Sequence, residues 1–542
     1  MNPRSRPGDL AWLGLVVLGA LALFSLDWRG GLYGGVAEVG AMRVLAGDLP
    51  YRDFWTIYAP GQFYLLAGLF ALFGLQWLVS PIAASLLLAG ASAALFWAVR
   101  RAGGTRGSAL AGALVLVVAI AATPYHRSCG SYPPALLLGI LAWGLVAGQT
   151  RGKGAVAAGL ALGAAALFKH DVAAYSALGV ALYQLGRGHQ DTGSWPRALR
   201  CVATTAAAAL AVFAPPMVAL ALSTGPDLWQ DLVRFPLGDF ASSRPEQLPL
   251  WPTTTFDPEA TRRAAALAAG NSLTFWLPWV AQLLALAVAL RDRRLRPWAL
   301  ALFATFLLHQ LAARVQINTH VVSWSAMAAL ALAPAWPRIR EERSLRLATL
   351  GTAAALIAAH GVAPLVRHGV ETPRHTADAP LPTARGMRVL PSDVPALLRL
   401  AELVEQNLPE GGRLYAGERR HDALLTSPMR LYFLLGRLPA VRYHELHPAV
   451  ADTEPIQAEM IADLERHEVS LVILRRSFPD DHLDRWREDL RSRVPSAGST
   501  LLDETLRERF GRLEQVGGYE VLRRRSRSHP SGGDKEKGRP PR

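Results

Sequence analysis

The sequence predicts a polytopic α-helical membrane protein of about eleven spans, followed by a small soluble α/β domain at its C-terminal end. Three observations predict it. Of the 542 residues, 51% are hydrophobic and only 18% charged, whereas a soluble chain carries about 25% charge. Apolar stretches recur from Leu10 to Val366 and then largely stop. Basic residues concentrate in alternate links between those stretches, as they do in cytoplasmic loops. The two cysteines, Cys129 and Cys201, exclude a disulfide scaffold and any cysteine-based metal cluster, which need several thiols at short spacings.

A hydrocarbon core about 30 Å thick takes roughly 20 apolar helical residues per crossing. Leu10 to Leu26 is the first; no small-residue cleavage site follows and further spans do, so it is read as retained. Gly61 to Val99 holds either two spans or one. Arg100, Arg101 and Arg106 belong on the same side as Arg4 and Arg6, which requires an even number of crossings before Val99. Gly61 to Leu75 is therefore an interfacial helix and a single span ends at Val99. The remaining spans are Ala109 to Thr123, Pro134 to Gly148, Val156 to Phe168, Val172 to Leu185, Val202 to Leu222, Leu273 to Leu290, Trp298 to Ala313, Val321 to Trp336 and Leu347 to Val366. Val156 to Leu185 reads as a hairpin turning outside at Lys169-His170-Asp171, because both flanks are basic; one long tilted helix is the competing reading.

This topology puts the N-terminus in the cytoplasm and the C-terminal domain outside the plasma membrane. Inner links then hold 18 basic and 5 acidic residues, outer loops 10 and 11. The net charge of +14 is accordingly a topology signal plus the basic tail, residues 523–542, whose Ser, Gly and Pro content predicts disorder. It does not call for a nucleic-acid partner. Residues 1–366 form the membrane domain, with outer loops 27–60 and 223–270, and residues 367–522 the outer α/β domain. There Leu390 to Leu408 is an amphipathic helix capped by Ser392 or Asp393, and Arg413 to Gly417 and Ser470 to Leu474 are strands around a helix at Thr453 to Arg466.

Ionisable residues at span ends need an explanation, since a charge at membrane depth costs about 2.5–3.5 kcal/mol on insertion scales. Lys169, His170 and Asp171 are such a group. A snorkelling interfacial turn accounts for them as well as a cationic site for a lipid phosphate does. His309, Gln310, Arg314, Gln316, Asn318 and His320 form a second polar group on the same side, and Tyr125, His126 and Arg127 a third. Each alone reads as a polar loop; together they supply cations and donors for an anion. The first outer loop adds the carboxylates Asp27, Glu38, Asp48 and Asp53. Glu38 is expected on the wetter side of an interfacial helix within Tyr33 to Leu45. Asp53 follows Arg52, which with the neighbouring aromatics suits a sugar and its phosphate. A bound acceptor needs a carboxylate to take its hydroxyl proton, and the bland alternative is that Asp53 caps a turn and Glu38 is merely solvated.

The segment Ala46-Gly47-Asp48-Leu49-Pro50-Tyr51-Arg52-Asp53-Phe54-Trp55, with Tyr58-Ala59-Pro60-Gly61-Gln62-Phe63-Tyr64, resembles the first-loop signature of GT-C fold membrane glycosyltransferases, specifically the protein O-mannosyltransferase-like, family 39 group. Leu162 to Asp171 is similar to that group's small-residue helix ending in lysine, and Arg314 to His320 to its late Arg and His positions. The resemblance covers roughly residues 10–366. It implies sugar transfer from a polyprenyl-phosphate donor to a protein, lipid or glycan acceptor on the outer face of the membrane, with a first-loop carboxylate, Glu38 or Asp53, as base. Arg52, His126, Arg127, Lys169, His170, Asp171, Arg314 and His320 are the substrate-binding candidates. Relatives carry an acidic pair where this chain has Tyr33 and Gly34; Glu38, one helical turn later, and Asp27 are the substitutes. First-loop carboxylates leave room for a divalent metal, though no ligand spacing establishes one. A transporter or lipid flippase is the reading from another class, but no internal repeat is evident and the polar groups gather on one face rather than at the midplane. A non-catalytic relative acting through its outer domain is the third reading.

Overall fold

The computed structural model describes residues 7–29, 35–123, 128–148, 151–238, 240, 243, 262–312, 317–370 and 377–525. The chain forms two compact units, one of residues 1–401 and 429–438, the other of residues 402–428 and 439–542. The sequence reading had put the boundary earlier, after Val366.

The first unit is helical. Every apolar stretch expected to cross is a helix: α1 (Pro7–Ser25), α4 (Val79–Arg101), α5 (Arg106–Ala122), α6 (Tyr132–Gly148), α7 (Lys153–Phe168), α8 (His170–Thr192), α9 (Trp195–Thr224), α10 (Arg262–Arg291), α11 (Arg296–Ala312), α12 (Ile317–Ile339) and α13 (Arg343–Val370). Two more, α2 (Val36–Leu45) and α3 (Gly61–Phe73), lie in the segment between α1 and α4. Among the described residues α1, α4 and α9 are long and apolar enough to cross a bilayer unaided, and several other helices are shorter but equally apolar. At Lys169 the backbone is extended (φ −151°, ψ 99°) and α7 and α8 pack on one another, so this stretch is two helices and not one tilted rod.

Small residues let these helices meet. A Cβ on Gly159 or Gly163 of α7 would lie 2.3 Å and 2.2 Å from the carbonyl oxygens of Thr205 and Ala209 on α9, a spacing only glycine permits. The opposite side of α9 leaves Leu210, Val218 and Leu222 exposed, as a lipid-facing surface requires. Leu88, Leu95, Leu116, Ile120, Trp143 and Leu302 belong to the apolar core of the bundle.

The basic links gather at one end. Asp9 pairs with Arg106 (2.8 Å) and Arg100 (3.4 Å), Arg291 with Glu342 (2.6 Å) and Arg338 with Asp292 (3.3 Å). Gly104, in the α4–α5 link, packs against the Ala333 carbonyl of α12, which ties these pairs to one another. The α7–α8 junction, the end of α11 and the start of α12 therefore lie at the other end.

In the second unit a four-stranded sheet has the order β3-β4-β6-β5, with β3 (Tyr415–Glu418) parallel to β4 (Leu471–Arg475) and the hairpin β5 (Phe510–Val516)/β6 (Tyr519–Arg524) antiparallel; β1 (Ala377–Asp378) and β2 (Arg388–Val389) pair separately in the first unit. β3 is buried along its whole length, as a parallel strand covered on both faces is. Both strands and the helix expected between them (Glu454–Arg466) are present, as is the amphipathic helix at Val394–Asn407. The β5–β6 hairpin was not anticipated, and β6 continues beyond Leu522.

Candidate functional site

The first-loop carboxylates sit in two different environments. Glu38, in the first turn of α2, is fully buried, not on a wet face as its helical spacing suggested. Its Oε1 accepts from the hydroxyls of Ser80 (2.6 Å) and Ser128 (2.8 Å), and its Oε2 from the Gly35 N–H (3.2 Å). Ser80 in turn accepts from the Cys129 N–H (2.8 Å). Glu38 thereby ties α2 to the start of α4 and to the segment that follows α5. Burial, with the Glu38 charge adding to it, pushes the Cys129 thiol up to about 12, so it stays protonated.

Asp53 is part-exposed. Its Oδ2 accepts from the Leu49 N–H (2.7 Å), and Arg52 engages both oxygens (3.0 Å and 2.8 Å). Partial burial acts to raise this carboxyl, but the Arg52 guanidinium and the Leu49 N–H hold it below the usual carboxylate range. The turn is built from beneath by Arg43, which donates to Asp48 (2.7 Å) and to the Asp53 carbonyl (2.7 Å) and lies over the Phe54 ring. Tyr51 takes a left-handed backbone (φ 71°), and its buried side chain packs with Leu220 and Leu232. The loop ends at Pro60-Gly61. A Cβ on Gly61 would lie 2.6 Å from the Leu167 carbonyl, so the loop exit rests directly on the end of α7.

Two of the polar groups separated in sequence meet at that end of the bundle. Lys169 Nζ donates to Asp171 Oδ2 (3.0 Å), and Asp171 Oδ1 accepts from the Val172 N–H (2.7 Å) at the start of α8. His309, in the last turn of α11, faces His320, in the first turn of α12, with Nε2 and Nδ1 3.1 Å apart. One ligand atom each from Asp171, His309 and His320 falls within a 4.8 Å sphere of mutual distances, a set able to hold a cation. Tyr175 lies beside His309, and Phe275, Phe306 and Trp324 form an aromatic wall next to it. Chemically this is a cation and two imidazoles gathered around one carboxylate, at the end of the bundle where the first loop also rests.

Of the sequence candidates, Lys169, Asp171 and His320 are brought together. His170 opens α8 beside them, with its Nδ1 buried and without a hydrogen-bond partner among the described residues. Arg52 and Asp53 pair with each other, and Glu38 is held in the helical interior. His126, Arg127 and Arg314 lie outside the described residues. Sequence reasoning grouped His309 with His320 in the second polar group but left it out of the substrate-binding candidates, and it gave no role to Ser80 or Arg43. His309 and His320 are eleven residues apart in sequence, and their direct pairing depends on how α11 packs against α12.

No protein-family model matches the chain, and no curated protein matches it by sequence. Solved structures do resemble it. ArnT from Cupriavidus metallidurans bound to undecaprenyl phosphate is 15% identical, with a TM-score of 0.53 over 94% of this chain and 98% of that one. The archaeal oligosaccharyltransferase AglB from Archaeoglobus fulgidus, in complex with an inhibitory peptide and a dolichol-phosphate, is 12% identical, with a TM-score of 0.55 over 96% of this chain and 75% of that one. At such identities the likeness is one of fold and does not single out the family 39 group. The chain has the GT-C fold of membrane glycosyltransferases.

Proposed function

We propose that this protein is a membrane glycosyltransferase that moves a sugar from a polyprenyl-phosphate donor to an acceptor hydroxyl at the outer face of the plasma membrane. The observation that carries the reading is the convergence of Lys169, Asp171, His309 and His320 at one end of the bundle, beside the exit of the first loop. The fold is shared with one protein solved with undecaprenyl phosphate and another with a dolichol-phosphate, and a lipid phosphate is the anion that a site at membrane depth would meet.

In this reading Lys169, His170 and His320, with Arg127 and Arg314, receive the phosphate. The acceptor oxygen attacks the anomeric carbon as the bond from that carbon to the phosphate oxygen breaks, inverting the centre, and the acceptor proton passes to a carboxylate. Phosphate is a good leaving group, so the protein's main tasks are placement and neutralising charge. Asp53 suits the base better than Glu38, because it is reachable and ionised whereas Glu38 is buried under three donors. Arg52, paired with Asp53, would orient it and the acceptor. A mannose-like donor sugar is the specificity that the family 39 resemblance implies. Gathering the polar groups at a helix-end face favours transfer over transport, which uses a midplane site.

Transfer from a radiolabelled polyprenyl-phosphate sugar by the protein in lipid nanodiscs tests this. Lys169→Ala is expected to raise KM for the lipid donor, and Asp53→Asn to lower kcat by about 10²–10⁴-fold. Absence of transfer with every lipid-linked sugar offered would sink the reading, and full activity of Asp53→Asn would remove Asp53 from it.

A further inference from the structure

We propose that Asp171, His309 and His320 form a binding site for one divalent transition-metal cation of the zinc class, set beside Lys169 where the leaving phosphate is received. The catalytic placement rests on the transferase reading; the metal site itself does not.

The spacing is that of ligands. Two ring nitrogens bound to one zinc ion at about 2.0–2.1 Å in tetrahedral geometry lie about 3.3 Å apart, and His309 Nε2 and His320 Nδ1 are 3.1 Å apart with their rings at 85°. Without a cation, that contact requires a proton on one nitrogen and a lone pair on the other. His309 is only 1% exposed, so its ring has to find its partners inside the protein. The wall of Tyr175, Phe306 and Trp324 fixes the ring and excludes water, as the shell around a metal site does.

Charge supplies the second argument. Lys169 and Asp171 neutralise each other at 3.0 Å, and a lysine so engaged offers little to a phosphate. Each oxygen of Asp171 has one described donor, from Lys169 or Val172, and a carboxylate oxygen has lone pairs for two. A dication held by Asp171 and the two imidazoles takes up the carboxylate charge and releases Lys169 to the lipid. The cluster of ion, lysine and aspartate then carries a net charge of about +2, matching the dianion of a departing phosphate monoester. Two imidazoles and one carboxylate select a borderline ion such as Zn²⁺ or Co²⁺ over Ca²⁺ or Mg²⁺. Three protein ligands leave a coordination position for a phosphate oxygen.

The test uses full-length protein in nanodiscs free of polyprenyl lipid, stripped with chelator and titrated with Co²⁺ alone. Bound metal is measured by mass spectrometry and geometry by the visible d–d bands. Native protein is expected to take up cobalt stoichiometrically and lose it to Zn²⁺. His309→Ala, His320→Ala and Asp171→Asn should each abolish the bands. His360→Ala, at a buried histidine that bonds Ser325 elsewhere in the bundle, should keep them. His320→Cys should keep the metal and gain a thiolate charge-transfer band, a result that misfolding cannot mimic. No cobalt uptake by native protein, or uptake that survives both histidine-to-alanine changes, overturns the site. Sugar transfer in the same preparations separates the two readings. Metal uptake without transfer sinks the transferase and leaves the site, whereas transfer undiminished in metal-free protein sinks the catalytic placement.

Discussion

Replacing Glu38 separates a positioning role from a catalytic one. In Glu38→Ala the hydroxyls of Ser80 and Ser128 and the Gly35 N–H all lose their acceptor, with Ser80 and Gly35 buried and Ser128 half-buried. A buried donor left unpaired costs about 1–3 kcal/mol, so even with partial relaxation the loss is roughly 3–5 kcal/mol. Glu38→Gln keeps the shape and the oxygen facing the two serines. It places an amide donor against the Gly35 N–H, a single mismatch of about 1–2 kcal/mol. The expected result by fluorescence-detected thermal unfolding of detergent-solubilised protein is a large drop in midpoint for Glu38→Ala and a small one for Glu38→Gln. Sugar transfer by Glu38→Gln should stay within a few-fold of native. If Glu38→Gln unfolds like native protein yet loses about 10²-fold or more in kcat, the positioning argument is refuted and Glu38 is the base.

Gly163→Ala should destabilise the bundle by about 1–3 kcal/mol, the cost of overpacking, because its Cβ would lie 2.2 Å from the Ala209 carbonyl. Gly68→Ala, where nothing lies within 4 Å, is the matched control, and equal midpoints for the two would show that the α7–α9 contact is misjudged. In the second unit, burial, with the charge of Asp422 adding to it, pushes Asp452 up to about 6. The native state therefore holds a proton that the unfolded chain releases near pH 4. Stability is expected to fall by roughly 2–3 kcal/mol as pH rises from about 4 to about 6, and to level off above. Thermal unfolding of the full chain across that range should show the slope, and Asp452→Asn should remove it.

The helices were legible because a bilayer span is a long-range compositional signal that needs no partner to be recognised. All the apolar stretches became helices, and the break at Lys169 followed from basic residues on both flanks. What hid from the sequence was set by packing. Glu38 was placed on a wet face by the spacing of Val36, Met42 and Leu45, yet Ser80 and Ser128, distant in the chain, close over it. The same holds for the direct pairing of His309 with His320, which depends on how α11 packs against α12, and for Arg43, whose part in shaping the loop depends on Asp48, Phe54 and the Asp53 carbonyl folding back onto it. The β5–β6 hairpin escaped because its apolar positions do not alternate: Phe510, Leu513 and Val516 recur every third residue in β5, and Val521-Leu522 and Arg523-Arg524 are like neighbours in β6, so the period-two signal is weak.

Gly61 explains why the first loop and the lysine turn work as one piece. The loop is rigid: Arg43 holds it from below, Tyr51 is anchored under Leu220 and Leu232, and its Tyr51 hydroxyl donates to the Tyr58 carbonyl (2.9 Å). Its exit at Pro60-Gly61 rests against the Leu167 carbonyl, two residues before Lys169. Any shift of the loop is thus passed by backbone contact to the residue that begins the cation cluster. That contact demands glycine, since a methyl group at position 61 would push the loop and the end of α7 apart. The proposed site, drawn from one loop and three helix ends, would depend on such rigid joints, because displacements near 1 Å are enough to misalign reacting groups. The segment that carried the resemblance in the sequence is therefore conformational in large part: its aromatics and glycine fix the backbone on which the Arg52–Asp53 pair is held.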